Sequence, residues 1–137
     1  MTESFKGQID DFIRDTKGAA LAVFKAAAQD TIKQAQTSYN KSGFMPIDTS
    51  FLVNSGNATI DTFPSGPSEK PKDYALQEWN ATETVTTINR IKEGQVLWFG
   101  WSANYAIYME NKFKFMRKAA QSWPDHVNKR AAQLKVK

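Results

Sequence analysis

Residues 5–39, FKGQIDDFIRDTKGAALAVFKAAAQDTIKQAQTSY, carry the most regular pattern in the chain and decide its fold class. Apolar or small residues recur in steps of three and four along the stretch, and charged side chains stand between them. This period is typical of an amphipathic helix. Only Gly18 interrupts the pattern, and one Gly costs a helix about 1 kcal/mol relative to Ala without forbidding it. The sequence therefore predicts one long helix within residues 1–41.

A helix of this length is longer than the domain that carries it. About 36 residues at 1.5 Å per residue span roughly 54 Å. A compact domain of 137 residues is roughly 37 Å across. The helix must therefore bend at Gly18 or extend beyond its own domain. Its alanine-rich stripe lets another backbone approach closely, so Ala27 and Ala28 are predicted to contact a neighbouring subunit.

The rest of the chain predicts short strands and two further helices. Residues 73–93 have the spacing of a middle helix, and residues 115–135 that of an amphipathic C-terminal helix, which Pro124 bends or divides. No segment before or after the central loop is long enough to bury a core alone, so we expect a single domain over residues 1–137. The predicted fold is α+β, with a small antiparallel or mixed sheet. Its parts are a long helix in residues 1–41, a Pro- and Gly-rich loop with short strands in residues 42–72, and a helix–strand–helix region in residues 73–137.

Residues 96–111, VLWFGWSANYAIYMEN, gather five aromatic rings around a single carboxylate. The first part reads as a strand, on which alternate side chains point to opposite faces, so Trp98 and Trp101 lie on opposite sides. A strand that is apolar on both faces is buried on both, by helices on one side and by a helix or a neighbouring subunit on the other. We interpret the cluster as core plus interface. Two alternatives remain, a platform on which nucleic-acid bases stack and the floor of a small-molecule pocket.

Positive charge is concentrated near the C-terminus. Residues 112–137 carry eight Lys or Arg against Asp125, a net charge of +7, whereas the rest of the chain has a net charge of −3. This asymmetry favours an anionic partner, either DNA or an acidic protein surface. The same residues could also form a solvated helix face.

The residue types that most enzyme and metal sites require are scarce. The chain has no Cys, His126 is its one histidine, and it has no Gly-rich phosphate loop of either common pattern. The carboxylates are scattered without a spacing typical of acid–base catalysis. The sequence therefore predicts a protein without enzymatic activity, cofactor or bound metal. No apolar run approaches the ~18 residues of a membrane span, and the absence of Cys suits a reducing cytoplasm.

Two short blocks resemble the tail-component family of long-tailed bacteriophages, whose members are called tail-completion, neck or minor tail protein Z-like proteins. The family pattern runs Pro-Val-Asp-Thr-Gly-x-Leu, then a loop, a helix and a strand, then Tyr-Ala-x-x-x-Glu-x-Gly. The stretch PIDTSFL matches the first block at Pro46, Asp48, Thr49 and Leu52. The stretch ANYAIYMEN matches the second at Tyr105, Ala106 and Glu110. This chain departs from the pattern at Ser50, where Gly is usual, and at Asn111-Lys112, where the second Gly is missing.

The resemblance implies a structural protein of the virion, located at the tail or neck and assembled in the host cytoplasm. Related proteins form rings, often hexamers, where the tail tube meets the head connector, and DNA passes through the middle. The expected partners are therefore further copies of the chain, connector or stopper proteins, and tail-tube or terminator proteins. Membrane contact is not expected. Lys129, Arg130 and Lys135 would either line the DNA channel or dock on an acidic ring of a neighbouring protein.

Overall fold

The first element, α1 (Phe5–Gln36), is an unbroken helix that continues through the Gly18 position. The computed structural model describes residues 5–135, apart from the side chains of Phe5, Ile13 and Lys135. The 32 residues of α1 make a helix about 48 Å long at 1.5 Å per residue. It ends before the predicted residue 39, because the backbone of residues 37–39 bonds to Met45. The Met45 N–H donates to the Thr37 carbonyl at 3.0 Å, and the Tyr39 N–H donates to the Met45 carbonyl at 2.9 Å.

Short helices and two strands follow α1. In chain order they are a 3₁₀ turn (Tyr39–Lys41), α2 (Phe51–Asn54), β1 (Gly56–Ile60), α3 (Thr82–Arg90), β2 (Leu97–Trp101), α4 (Ala106–Phe113), α5 (Phe115–Gln121) and α6 (Trp123–Lys135). β1 and β2 pair antiparallel, with Gly56 opposite Trp101 and Ile60 opposite Leu97. The predicted α+β fold with a long N-terminal helix and a small sheet is confirmed.

The middle helix is shorter than predicted and begins nine residues later, at Thr82 instead of residue 73. The preceding segment is irregular because its backbone bonds to the region around α2. The Gln77 N–H donates to Ser50 Oγ at 3.0 Å, and the Gln77 carbonyl accepts from Asn54 Nδ2 at 3.0 Å. Groups committed to these tertiary bonds cannot take part in a helical ladder.

The C-terminal helix is divided, as Pro124 predicts. α5 ends at Gln121, and Pro124 is the second residue of α6. A proline costs little in the first turn of a helix, where its missing N–H would have no intrahelical partner.

The core consists of two hydrophobic clusters. One surrounds Phe51, Leu52 and Phe115, and the other joins Ile32 of α1 to Ile88 of α3. Trp79 packs against both clusters, so the irregular segment before α3 connects them. The inner face of the sheet and the second half of α1 therefore share a continuous apolar interior.

α6 runs back along α1 in the opposite direction. His126 Nε2 lies 2.7 Å from Gln34 Oε1, and further along α6 the Arg130 guanidinium reaches Asp30. The first and last helices therefore form one seam that supports the rest of the fold.

Candidate interaction surfaces

The two blocks that carry the family resemblance meet in the structure. Leu52 is buried, and Tyr105 and Ala106 pack against its cluster. Burial raises the pKa of the Tyr105 phenol above its usual value of 10.0, while hydrogen bonds from the Thr49 side chain and the Leu52 backbone oppose that rise. Segments more than fifty residues apart in sequence thus form a single contact. Asp48 lies at its exposed edge.

Ser50, which stands where the family pattern has Gly, adopts the left-handed backbone conformation with φ 68° and ψ 2°. Glycine takes this conformation without steric cost, whereas other residues strain. Here the Ser50 hydroxyl donates to the Thr49 carbonyl and accepts from the Gln77 N–H. The side chain therefore supplies a tertiary hydrogen bond at a position where the backbone favours glycine.

Glu110 is buried and caps a helix. Its Oε1 accepts from the Met116 N–H at 2.7 Å, and its Oε2 accepts from the Arg117 N–H at 3.1 Å. These are early N–H groups of α5, which have no partner within the helix. Asn111 and Lys112, where the family pattern changes, lie inside α4, and the left-handed residue comes at Lys114 with φ 60°. Glu110 therefore positions α5 against α4 and is not presented to solvent.

The inner face of β2 belongs to the core. The Trp101 ring makes edge contacts with Phe99 and Phe115, at centroid distances of 5.1 and 4.9 Å. Its indole N–H donates to Gln36 Oε1 at 2.7 Å, and Gln36 Nε2 donates in turn to the Val53 carbonyl at 2.9 Å. Gln36 is a buried polar residue that connects Trp101 to Val53, and no sequence pattern predicted this role.

The chain itself crosses the outer face of β2, where the sequence predicts a helix or a neighbouring subunit. We call residues 61–68, which run along this face, the strap. Asn57 Nδ2 donates to the Ser65 carbonyl and Ser102 Oγ donates to the Pro67 carbonyl, at 3.2 and 2.6 Å. Trp98 packs on a strap ring, Phe63, at 5.6 Å, but remains 41% exposed. The Ser102 hydroxyl therefore helps to hold the strap against the sheet.

The prediction that Ala27 and Ala28 contact a neighbouring subunit is wrong. Ala27 is 0% exposed and Ala28 is 4% exposed within a single chain. Ala28 lies in the core cluster with Ile88, and Trp123 of α6 packs against it. Small residues do allow close approach here, but the elements that approach are α3 and α6 of the same molecule.

Arg130 is not a free cation for DNA or for a partner. Its Nε and Nη2 each lie 2.7 Å from an Asp30 oxygen, in a bidentate pair. The hydrogen bond from Arg130 holds the pKa of the Asp30 carboxyl below its usual range, and the same bond raises the pKa of Arg130. Lys129 is exposed and has no hydrogen-bond or ion-pair partner among the described residues. Lys135 ends α6, and its side chain lies outside the described residues, as does Lys137.

Two helices of the described chain, α1 and α4, each expose large apolar side chains close together on the surface. On α1 they are Ile9 and Phe12, which is 71% exposed. On α4 they are Ile107, 78% exposed, and its neighbour Tyr108. Clusters of exposed apolar side chains mark interaction sites more often than scattered ones do.

The aromatic side chains of β2 do not line the groove beside β1 in the described structure. A groove of about 720 Å³ lies between β1 and α3, and Asn and Thr side chains such as Asn57 and Thr86 dominate its lining. Trp98, Phe99 and Trp101 are not among the lining residues. The small-molecule alternative has no support from this groove.

The described residues contain no group of three or more His, Cys, Asp or Glu placed to hold a metal ion. No helix within residues 5–135 is both long and apolar enough to cross a membrane. Comparison with family models, curated proteins and solved structures gave no match to this chain.

Proposed function

We propose that this chain is a non-enzymatic structural protein of the head–tail junction of a long-tailed bacteriophage. In this role, copies form a ring that joins the tail tube to the head connector. The observation that carries the proposal is the contact between the two family-like blocks. Thr49 and Leu52 of the first block meet Tyr105 of the second, so both contribute to one structural unit.

The backbone at Ser50 adds a second argument. A family pattern with Gly at this position is physically reasonable when the position is left-handed, and Ser50 has φ 68°. Glu110 adds a third, because its carboxylate caps α5. The matched residues thus have structural tasks, which suits a protein that acts through shape and contact.

The alternative is a nucleic-acid-binding module that uses the basic segment and the aromatic cluster. The case for a base-stacking platform is weaker because Phe99 and Trp101 face the core. Its cationic surface is reduced because Arg130 is paired with Asp30. Other cations of the segment remain exposed, and DNA or an acidic protein could contact them: Lys112, Lys114, Arg117, Lys118 and Lys129.

The proposal is tested by deleting the gene from a phage that encodes the chain. DNA packaging and tail-tube polymerisation should continue, and electron microscopy should show heads and tails that fail to join. Purified protein added to this lysate should restore joined particles without ATP or added metal. Normal joined virions in the absence of the protein would exclude the head–tail role and favour the nucleic-acid alternative.

Charge reversal separates the two possible tasks of the basic segment. The double variant Lys118→Glu and Lys129→Glu should weaken joining if these residues dock on an acidic protein. It should spare joining but impair DNA retention if they face the channel. The control is Lys70→Glu with Lys72→Glu, which changes net charge equally in the exposed loop before α3. A steep salt dependence of DNA affinity in the isolated protein, lost only in the first variant, would support the nucleic-acid alternative.

A further inference from the structure

β1 pairs with β2 along one edge only, and its register shows which backbone groups face the other edge. At one end of the pair the Ser102 N–H donates to the Ser55 carbonyl at 3.3 Å. At the other end the Asp61 N–H donates to the Val96 carbonyl at 2.8 Å. The odd-numbered positions of β1 therefore bond to β2. In an antiparallel pair the residues between them direct their N–H and C=O groups to the opposite side.

The backbone groups on this free edge belong mainly to Gly56 and Ala58. Within residues 5–135, the N–H and C=O groups of these two residues have no hydrogen-bond partner. Both residues line the groove between β1 and α3, so the groove reaches the free edge. An unpaired edge is a template on which another strand can pair. Because its free groups recur at every second residue, they match the backbone of an extended peptide chain.

α3 forms the wall of the groove opposite the free edge. Glu83, Thr86, Thr87 and Arg90 line this wall, at the spacing of a single helix face. Thr84 also lines the groove and is only 6% exposed, yet its hydroxyl makes no hydrogen bond to any described residue. A buried hydroxyl without a partner is unfavourable. An occupant that bonds to Thr84 would therefore gain from a group that the fold leaves unsatisfied.

We propose that the groove binds an extended peptide of a partner protein, which pairs with the free edge of β1 as a third strand. The groove has a volume of about 720 Å³ and is bounded by β1 on one side and by α3 on the other. Such a cleft suits one isolated strand. A second copy of this chain could offer its own β1 edge only by bringing its α3 against this one. The inference goes beyond the head–tail role and does not depend on it.

The side chains of the groove indicate what kind of peptide it takes. Hydroxyl and amide groups dominate the lining, which favours peptides rich in Ser, Thr and Asn. Glu83 and Arg90 are exposed and have no ion pair among the described residues. They lie about 10 Å apart along α3, which roughly three residues of a strand span. We therefore expect a basic and an acidic side chain about three residues apart. Main-chain bonds would supply affinity, and the two charges would set the orientation.

The first test selects peptides on the full chain. A display library of ten-residue linear peptides is panned in parallel on the parent and on Thr86→Trp, whose larger side chain would fill the groove from α3. Peptides should be enriched on the parent, and the best of them should bind Thr86→Trp at least about 10-fold more weakly in fluorescence anisotropy. No enrichment on the parent, or equal binding by Thr86→Trp, would overturn the proposal.

Thr16→Trp is the matched control for that variant. Thr16 and Thr86 are both exposed on a helix, and each hydroxyl donates to the carbonyl four residues earlier. Thr16 lies on α1 and does not line the groove, so Thr16→Trp should bind the peptide like the parent. Circular dichroism checks that both variants are folded.

The second test examines the strand pairing itself. Ala58→Pro removes an N–H that faces the groove and keeps the bonds to β2, which belong to Asn57 and Thr59. It should weaken binding by about 2–10-fold. If this variant does not fold, N-methylation of the peptide decides alone. Methyl groups should weaken binding at alternate residues and be tolerated between them.

Two results would contradict strand addition. N-methylation without an alternating effect would show that the peptide does not pair with β1. A dimer of the parent in sedimentation velocity that is absent in Thr86→Trp would show that a second copy occupies the groove, and the peptide proposal would be wrong.

Discussion

Replacing Glu110 by Ala should strongly destabilise the fold, although the residue has the appearance of a charged surface position in the sequence. The carboxylate accepts from two N–H groups of α5, at 2.7 and 3.1 Å, and is 9% exposed. α5 in turn contributes the buried residues Phe115 and Ala119 to the interior. Loss of the cap would therefore loosen a helix that anchors the core.

The expected magnitude follows from the two hydrogen bonds. A hydrogen bond to a charged group contributes about 1.5–3 kcal/mol, and loss of a helix cap costs about 0.5–2 kcal/mol. Water will reach part of the freed backbone, so we expect Glu110→Ala to lower the free energy of unfolding by about 2–4 kcal/mol. Glu110→Gln keeps one carbonyl oxygen and should lose about half as much.

Urea unfolding followed by tryptophan fluorescence measures the effect. The midpoint for Glu110→Ala should fall by about 1–2 M in urea, with an unchanged slope. Glu69→Ala, in the exposed loop before α3, is the matched control and should change the free energy of unfolding by less than about 0.5 kcal/mol. A Glu110→Ala midpoint equal to that of the control, or a Gln variant as unstable as the Ala variant, would refute the capping argument.

Three further predictions use the same assay. Ser50→Gly should leave stability nearly unchanged, because relief of about 1 kcal/mol of backbone strain offsets one lost hydrogen bond, whereas Ser50→Ala should lose about 1–3 kcal/mol. Trp101→Phe should lose about 1–3 kcal/mol, since it leaves the Gln36 oxygen without its donor, and parent-like stability would contradict that bond. The pKa of Asp30 lies below its usual 3.8 through its bond to Arg130, so ionised Asp30 stabilises the folded state above that pH. The stability gap between parent and Asp30→Asn should be constant from about pH 7 to 5 and shrink below about pH 4. A gap as large at about pH 2 as at about pH 7 would contradict the pairing.

The long helix, the sheet strand and the break at Pro124 were predictable because each depends on local pattern. Periodicity over thirty residues outweighs one glycine, and a proline constrains its own backbone wherever the chain goes. The start of the middle helix was not predictable. Asp73 is a residue type that often caps the start of a helix. The backbone of Gln77, however, bonds to Ser50 and Asn54, and no local pattern in the sequence reveals those bonds.

The expectations for Ala27, Ala28 and Arg130 were wrong for a related reason. The small size of Ala27 shows that something packs closely against it, but not whether that element belongs to the same molecule. Similarly, the positive charge of Arg130 indicates an anionic partner, and that partner is Asp30, one hundred residues earlier. Contacts at such separation leave no spacing signal in a single sequence, so pairing within the chain and docking between chains look alike.

The seam between the first and last helices also sets an order of events during synthesis. The contacts Gln34–His126 and Asp30–Arg130 join residues 92 and 100 positions apart. At about 5–20 residues per second, a ribosome needs roughly 5–20 s to make the chain between them. Throughout that interval Ala27 and its neighbours, buried in the finished protein, have no α6 to cover them. The nascent chain must therefore be shielded by chaperones or remain soluble through its charged flanks, and variants that lengthen this interval should aggregate during expression even when the purified protein is stable.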